Sequence, residues 1–209
     1  MTFDLPVRVR DHLEWTTVAT SDDRDWYFGV DQKITPRFRS AIQGPQVYRF
    51  VIWPPSSESP GFGGNRRIYV GESERFERRC ADYKGALTRT RKSPPTFTGW
   101  DDPRLGDEWK EMQGNPCVRV AGCLQDAERD SSKVELQLLK FDEFWIDRVQ
   151  VTPKRIGNQC VRRLVENLAI LSSDSPKVIL LNQCRNTETR PYHTLENPIS
   201  YAGERLADE

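Results

Sequence analysis

Tyr69-Val70-Gly71-Glu72-Ser73-Glu74-Arg75-Phe76-Glu77-Arg78-Arg79-Cys80-Ala81-Asp82-Tyr83 is the stretch around which the rest of the chain is organised. Arg67-Ile68-Tyr69-Val70 before it carries β-forming residues, and Gly71 breaks the run. Ser73 can cap a helix, Glu74 and Glu77 fall in or beside its first turn, and Lys84-Gly85 offer an end. The pattern predicts a strand, a tight turn and a short helix. On that helix Phe76, Arg79, Cys80 and Tyr83 recur three and four apart, so Arg79 and Tyr83 share a face.

Tyr69-Val70-Gly71, then Arg79 ten residues after the tyrosine and Tyr83 four further on, closely resembles the second signature of the GIY-YIG nuclease superfamily. The first signature of that family, a short strand ending Ile/Val-Tyr, resembles Gln46-Val47-Tyr48, with Gln46 where the family usually has glycine. The resemblance covers residues 44–90 well and 150–186 loosely. It implies an α+β fold, a small core with a mostly antiparallel sheet flanked by helices. Around that core we expect an N-terminal arm or small subdomain (1–43), and, within the nuclease domain (44–209), an insertion at about 86–133.

Composition sets outer limits. The 209 residues carry 31 Lys+Arg and 31 Asp+Glu, so the chain has no net charge to hold nucleic acid non-specifically. The charge is uneven, however. Residues 65–92 hold nine Lys/Arg against four acids, whereas residues 101–130 hold eight acids against four bases. The basic block coincides with the signature and suits a phosphate backbone, although such runs are commonly only solvated faces. From it Arg66, Arg67, Lys84, Arg89, Arg91 and Lys92 are the candidate DNA contacts. Five scattered cysteines without a Cys-x-x-Cys pair argue for free thiols in a reducing cytoplasm and against structural zinc. No stretch has the apolar length of a membrane span, and the first six residues do not read as a signal peptide.

Outside the signature, residues 46–53 and 66–70 read as two strands of a hairpin, joined by a long Pro-, Ser- and Gly-rich loop at 54–64. Cys117-Val118-Arg119-Val120-Ala121 and residues 134–139 read as further strands. Thr152-Pro153 predicts the start of a helix whose apolar stripe is Ile156, Cys160, Val161, Leu164, Val165, Leu168 and Leu171.

Hydrolysis of a phosphodiester needs an activated water and positive charge on the phosphate and leaving oxygen. The resemblance implies a glutamate on a later helix as the ligand of one Mg²⁺ or Mn²⁺. Leu164-Val165-Glu166-Asn167-Leu168 is similar to that segment, and Asn182 is the candidate for the asparagine that follows it, with Asn186 second. By the same resemblance Tyr48 is the general base or its orienting partner. Tyr69 holds the phosphate or shares the base role, Arg79 neutralises charge on the phosphate, and Tyr83 positions water or phosphate. Read singly, each has a plainer account. Tyrosines pack in strands, Arg79 snorkels, and Glu166 pairs with Arg162 one turn away in solvent. Their conjunction at fixed offsets favours the nuclease.

The resulting expectation is a metal-dependent endonuclease acting on double-stranded DNA, most like a compact type II restriction enzyme. One site per protomer implies a homodimer on DNA, and a companion methyltransferase encoded nearby would fit. The alternatives are a structure- or modification-directed defence or repair nuclease, and a non-catalytic DNA-binding module of the same fold.

Overall fold

The computed structural model describes residues 13–24, 26–55, 66–92, 116–146, 149–173 and 178–182. Most of the expected 54–64 loop, Phe97, Trp100, Asn186 and both histidines lie outside them. The protein is α+β. Strands β1 (Leu13–Thr20), β2 (Gln46–Trp53), β3 (Arg66–Ser73), β4 (Lys133–Phe141) and β7 (Val178–Leu180) form one sheet in the order β1-β4-β2-β3-β7. The first four are antiparallel, and β7 runs parallel to β3. Strands β5 (Phe144–Ile146) and β6 (Val149–Val151) make a separate small hairpin. Helices are α1 (Pro36–Ala41), α2 (Phe76–Lys92), α3 (Pro116–Arg129) and α4 (Gln159–Ser173). No helix among the described residues is long and apolar enough to cross a membrane.

Strand β2 lies inside the sheet and is buried on both faces, which explains its near-continuous apolar sequence. On one face Tyr48, Phe50 and Ile52 meet α2, α3 and the aromatic cluster Trp26, Phe28 and Phe38. On the other, Val47 and Val51 join Ile68, Val70 and the α4 residues Val161, Val165 and Ala169. Residues 13–20, expected in an arm, therefore supply an edge strand, and residues 26–42 supply part of the first core.

Three sequence expectations are corrected here. The signature helix does not end at Lys84-Gly85 but runs to Lys92. Gly85 keeps a helical backbone, and beyond it Ala86, Leu87 and Thr90 extend the buried stripe against α3. Residues 117–121 are helix rather than strand. Pro116 opens α3, and Val120, Ala121, Leu124 and Ala127 bury at helical spacing, outweighing the alternation of Val118 and Val120. Finally, Thr152-Pro153 begins only a 3₁₀ turn. Helix α4 starts after Gly157, where Asn158 Oδ1 accepts from the N–H groups of Cys160 (2.9 Å) and Val161 (3.4 Å). Cys160 is consequently exposed and leaves the predicted stripe.

Candidate active site

The antiparallel register sets Tyr48 opposite Gly71 and Phe50 opposite Tyr69, so both tyrosines point to the face covered by α2. Helix α2 brings Tyr83 to them. The Tyr48 and Tyr83 hydroxyls share a hydrogen bond, and Tyr83 also bonds the Tyr69 hydroxyl. Three phenols thus form a chain with Tyr83 in the middle. Tyr48 is 1% exposed and Tyr83 fully buried, whereas Tyr69, at 8%, lies nearest the surface. Burial raises the pKa of all three. At Tyr69 the rise is opposed by the bond from Tyr83 and by the charges of Arg119 and Arg79, and it is reinforced by Glu166.

The ring of Tyr48 stacks on Phe76 at 4.2 Å and packs edge-on to Phe50 and Tyr83. This packing is why the residue opposite must be glycine. A Cβ on Gly71 would lie 2.7 Å from the Tyr48 hydroxyl oxygen and 3.1 Å from the Tyr69 ring. The Tyr48 ring, held by Phe76, Phe50 and Tyr83, has no room to retreat. We expect Gly71→Ala to lower stability by about 1–3 kcal/mol, the range for overpacking, and to displace the phenol chain. Thermal unfolding with tyrosine ring NMR would check it; an unshifted Tyr48 resonance and wild-type Tm would contradict it.

Arg79 stands beside this chain, donating to Cys117 Sγ on α3 at 3.6 Å. Burial works against its charge, but the Tyr48 and Tyr83 hydroxyls and Cys117 outweigh that and keep it firmly protonated. Arg119 follows on the same helix turn, with its charge felt at Tyr69 and Tyr83. The segment expected as an insertion thereby furnishes one wall of the site.

The acidic half comes from the other sheet face. Glu72 points with Val70 and Ile68 towards α4, where Arg162 Nε donates to its carboxylate at 2.7 Å. Arg162 is buried and also donates to the carbonyls of Ile156 (3.0 Å) and Gly157 (2.8 Å). Glu166 therefore has no solvated partner in Arg162. Its half-buried carboxyl is pushed up to about 7, first by burial and then by the Glu72 charge. The Glu72 N–H, Arg163 and Arg79 moderate that rise. A carboxylate short of compensating charge, with a second one beside it, offers the oxygen donors that a hard divalent cation takes. Among the described residues no group of three or more His, Cys, Asp and Glu side chains converges, so water would have to fill most of such an ion's shell.

Other predicted residues have different positions. Asn182 accepts from the Val70 N–H at 2.9 Å and donates to the Val70 carbonyl at 2.6 Å. Both ends of its amide thus extend the β3–β7 ladder, and the residue ties the chain after β7 to β3. Arg67 is buried, paired with Asp130 at 2.9 Å and bonded to Ser132. Lys84 donates to the Gly29 carbonyl, and Arg91 binds Glu128 and the Phe28 carbonyl. All three side chains are thus engaged within the protein. The guanidinium of Arg66 lies over the Trp53 ring at 4.9 Å. Arg89 and Lys92 are exposed, but α2 carries them about 15–20 Å along its axis from Arg79.

Glu72, Arg162 and Arg119 were missed as site residues by the sequence reading. A signal existed for Glu72, because strand alternation places it on the Ile68–Val70 face. Compared with family models, curated proteins and solved structures, the chain finds no match.

Proposed function

We propose that this chain is a metal-dependent endonuclease that hydrolyses phosphodiester bonds of double-stranded DNA, of the sequence-specific restriction type. One observation carries the reading. Three linked tyrosine hydroxyls, an arginine and a half-buried glutamate, contributed by β2, β3, α2 and α4, gather around the end of β3. A purely structural hydrogen-bond chain has no need of Arg79 and Glu166 beside it.

In this reading Tyr69, the phenol nearest the surface, orients the attacking water and takes its proton. Reaching the phenolate is disfavoured by burial and eased by the hydrogen bond from Tyr83 and by Arg79 and Arg119. Tyr48, enclosed by Phe76, Phe50 and Gly71, orients Tyr83 in place of acting as the base itself. Arg79 presents its planar fork to the phosphate as charge develops. When bound at Glu166, Mg²⁺ or Mn²⁺ supplies Lewis-acid charge for the phosphate and leaving oxygen. One site per chain cuts one strand, so we propose a homodimer on the duplex with a two-fold axis shared with the DNA. The free thiols of Cys80, Cys117, Cys123 and Cys160 accord with a cytoplasmic place.

One feature favours a second reading, a non-catalytic DNA-binding module. Tyr48 and Tyr83 are enclosed, and burial holds both well above the ordinary tyrosine range. Digestion of a long unmethylated duplex by purified protein, with Mg²⁺, Mn²⁺ or EDTA, separates the two. We expect discrete, metal-dependent fragments whose sequenced ends share a motif. Binding without cleavage in either metal would establish the module. Cleavage confined to flaps, branches or modified DNA would instead mark a repair or defence nuclease.

A further inference from the structure

At the C-terminal end of β3 opens a groove of about 490 Å³, walled by the first turns of α2 and α4. Arg75, whose carbonyl starts the α2 ladder, lines it together with Arg78 and Arg79 of the first turn of α2. Arg162 also lines it, but its guanidinium is spent on Glu72 and two carbonyls. Arg75 and Arg78 differ from the other two arginines of the groove, since Arg79 donates to Cys117 and Arg162 is paired with Glu72. Arg75 and Arg78 are both exposed, and among the described residues neither guanidinium has a hydrogen bond or ion pair. Two cations without a partner among the described residues stand beside Arg79, in a chain of zero net charge, and concentrate local positive potential where the reacting phosphate would sit. Asp82 and Glu74 line the same groove and offset part of it.

We infer that Arg75 and Arg78 grip the DNA backbone phosphates flanking the scissile one, making this groove the path of the cleaved strand. The inference rests on the nuclease reading above and replaces the patch that the sequence suggested at the far end of α2. Arg75 and Arg78 contribute to binding, while Arg79 acts at the reacting phosphate. The grip is electrostatic and local, so Asp82 weakens it.

The test is fluorescence anisotropy of a labelled random-sequence duplex in EDTA, across a range of salt concentrations, with steady-state cleavage in Mg²⁺ as a second readout. Arg75→Gln and Arg78→Gln should each flatten the log–log salt dependence by about 0.9, as for loss of one phosphate contact. Each should raise KM while leaving kcat near wild type, and Asp82→Asn should tighten binding. Arg89→Gln and Lys92→Gln represent the competing patch. If they flatten the slope and the groove variants do not, the inference is wrong. Cleavage by wild type with unaltered salt slopes in Arg75→Gln and Arg78→Gln overturns it while sparing the nuclease reading. Flattened slopes without any cleavage support the grip and remove the nuclease. Retention of an acidic polypeptide such as polyglutamate with equal affinity and the same arginine dependence would reassign the groove to a protein partner.

Discussion

Arg79→Ala lowers the chemical step by about 10²–10⁵-fold, as loss of a preorganised phosphate-charge donor does elsewhere. The expectation follows from how Arg79 is held. Burial opposes its charge, yet the Tyr48 and Tyr83 hydroxyls and Cys117 keep it protonated and aimed from the first turns of α2. Arg79→Lys keeps a charge but loses the fork, and is expected to be nearly as slow. Arg78→Ala, on the preceding residue and exposed, should change KM far more than kcat. Single-turnover cleavage by the three variants at saturating protein checks this. Equal losses of the chemical step in Arg78→Ala and Arg79→Ala would mean a diffuse electrostatic surface with no positioned residue.

How much of this site was legible depends on sequence distance. Tyr69, Arg79 and Tyr83 lie on one strand–turn–helix, where local geometry alone fixes which side chains share a face. Tyr48 was reachable too, because a hairpin sets its partner opposite it. The pairing of Arg162 with Glu72 spans 90 residues and depends on how α4 crosses the sheet, which no local pattern specifies. The basic block misled for a related reason. A charge count does not say which residues face inward. Arg67 alternates with Tyr69 in β3 and so points inward with it, where Asp130 meets it. Lys84 and Arg91, seven apart on α2, flank buried Leu87 and turn to the carbonyls of Gly29 and Phe28. Helix α3 was misread because Val118 and Val120 mimic a strand over five residues. Leu124 and Ala127 reveal the helical period only over a longer window.

Glu166 gives the second large effect, and it can be followed without any cleavage assay. Its folded pKa of about 7 lies above the ordinary carboxyl value near 4.5. The folded state therefore binds the proton more tightly than the unfolded chain does. Below about pH 4.5 both states are protonated and nothing is lost. As pH rises from there to about 7, the fold is progressively destabilised by burying a charge beside Glu72. Glu166→Gln removes that charge. Its Tm should match wild type at acid pH and exceed it above pH 7. A divalent cation at Glu166 would relieve the same unfavourable charge, so Mg²⁺ or Mn²⁺ should raise the wild-type Tm at neutral pH and leave Glu166→Gln unmoved. Turnover should be abolished in Glu166→Gln and Glu166→Ala while duplex binding in EDTA persists, because the substitution spares Arg75, Arg78 and Arg79. Were Glu166→Gln to cut at the wild-type rate and keep the metal-induced rise in Tm, the cation would have to sit on other carboxylates. Glu72, already held in place by Arg162, would be the first of those to replace.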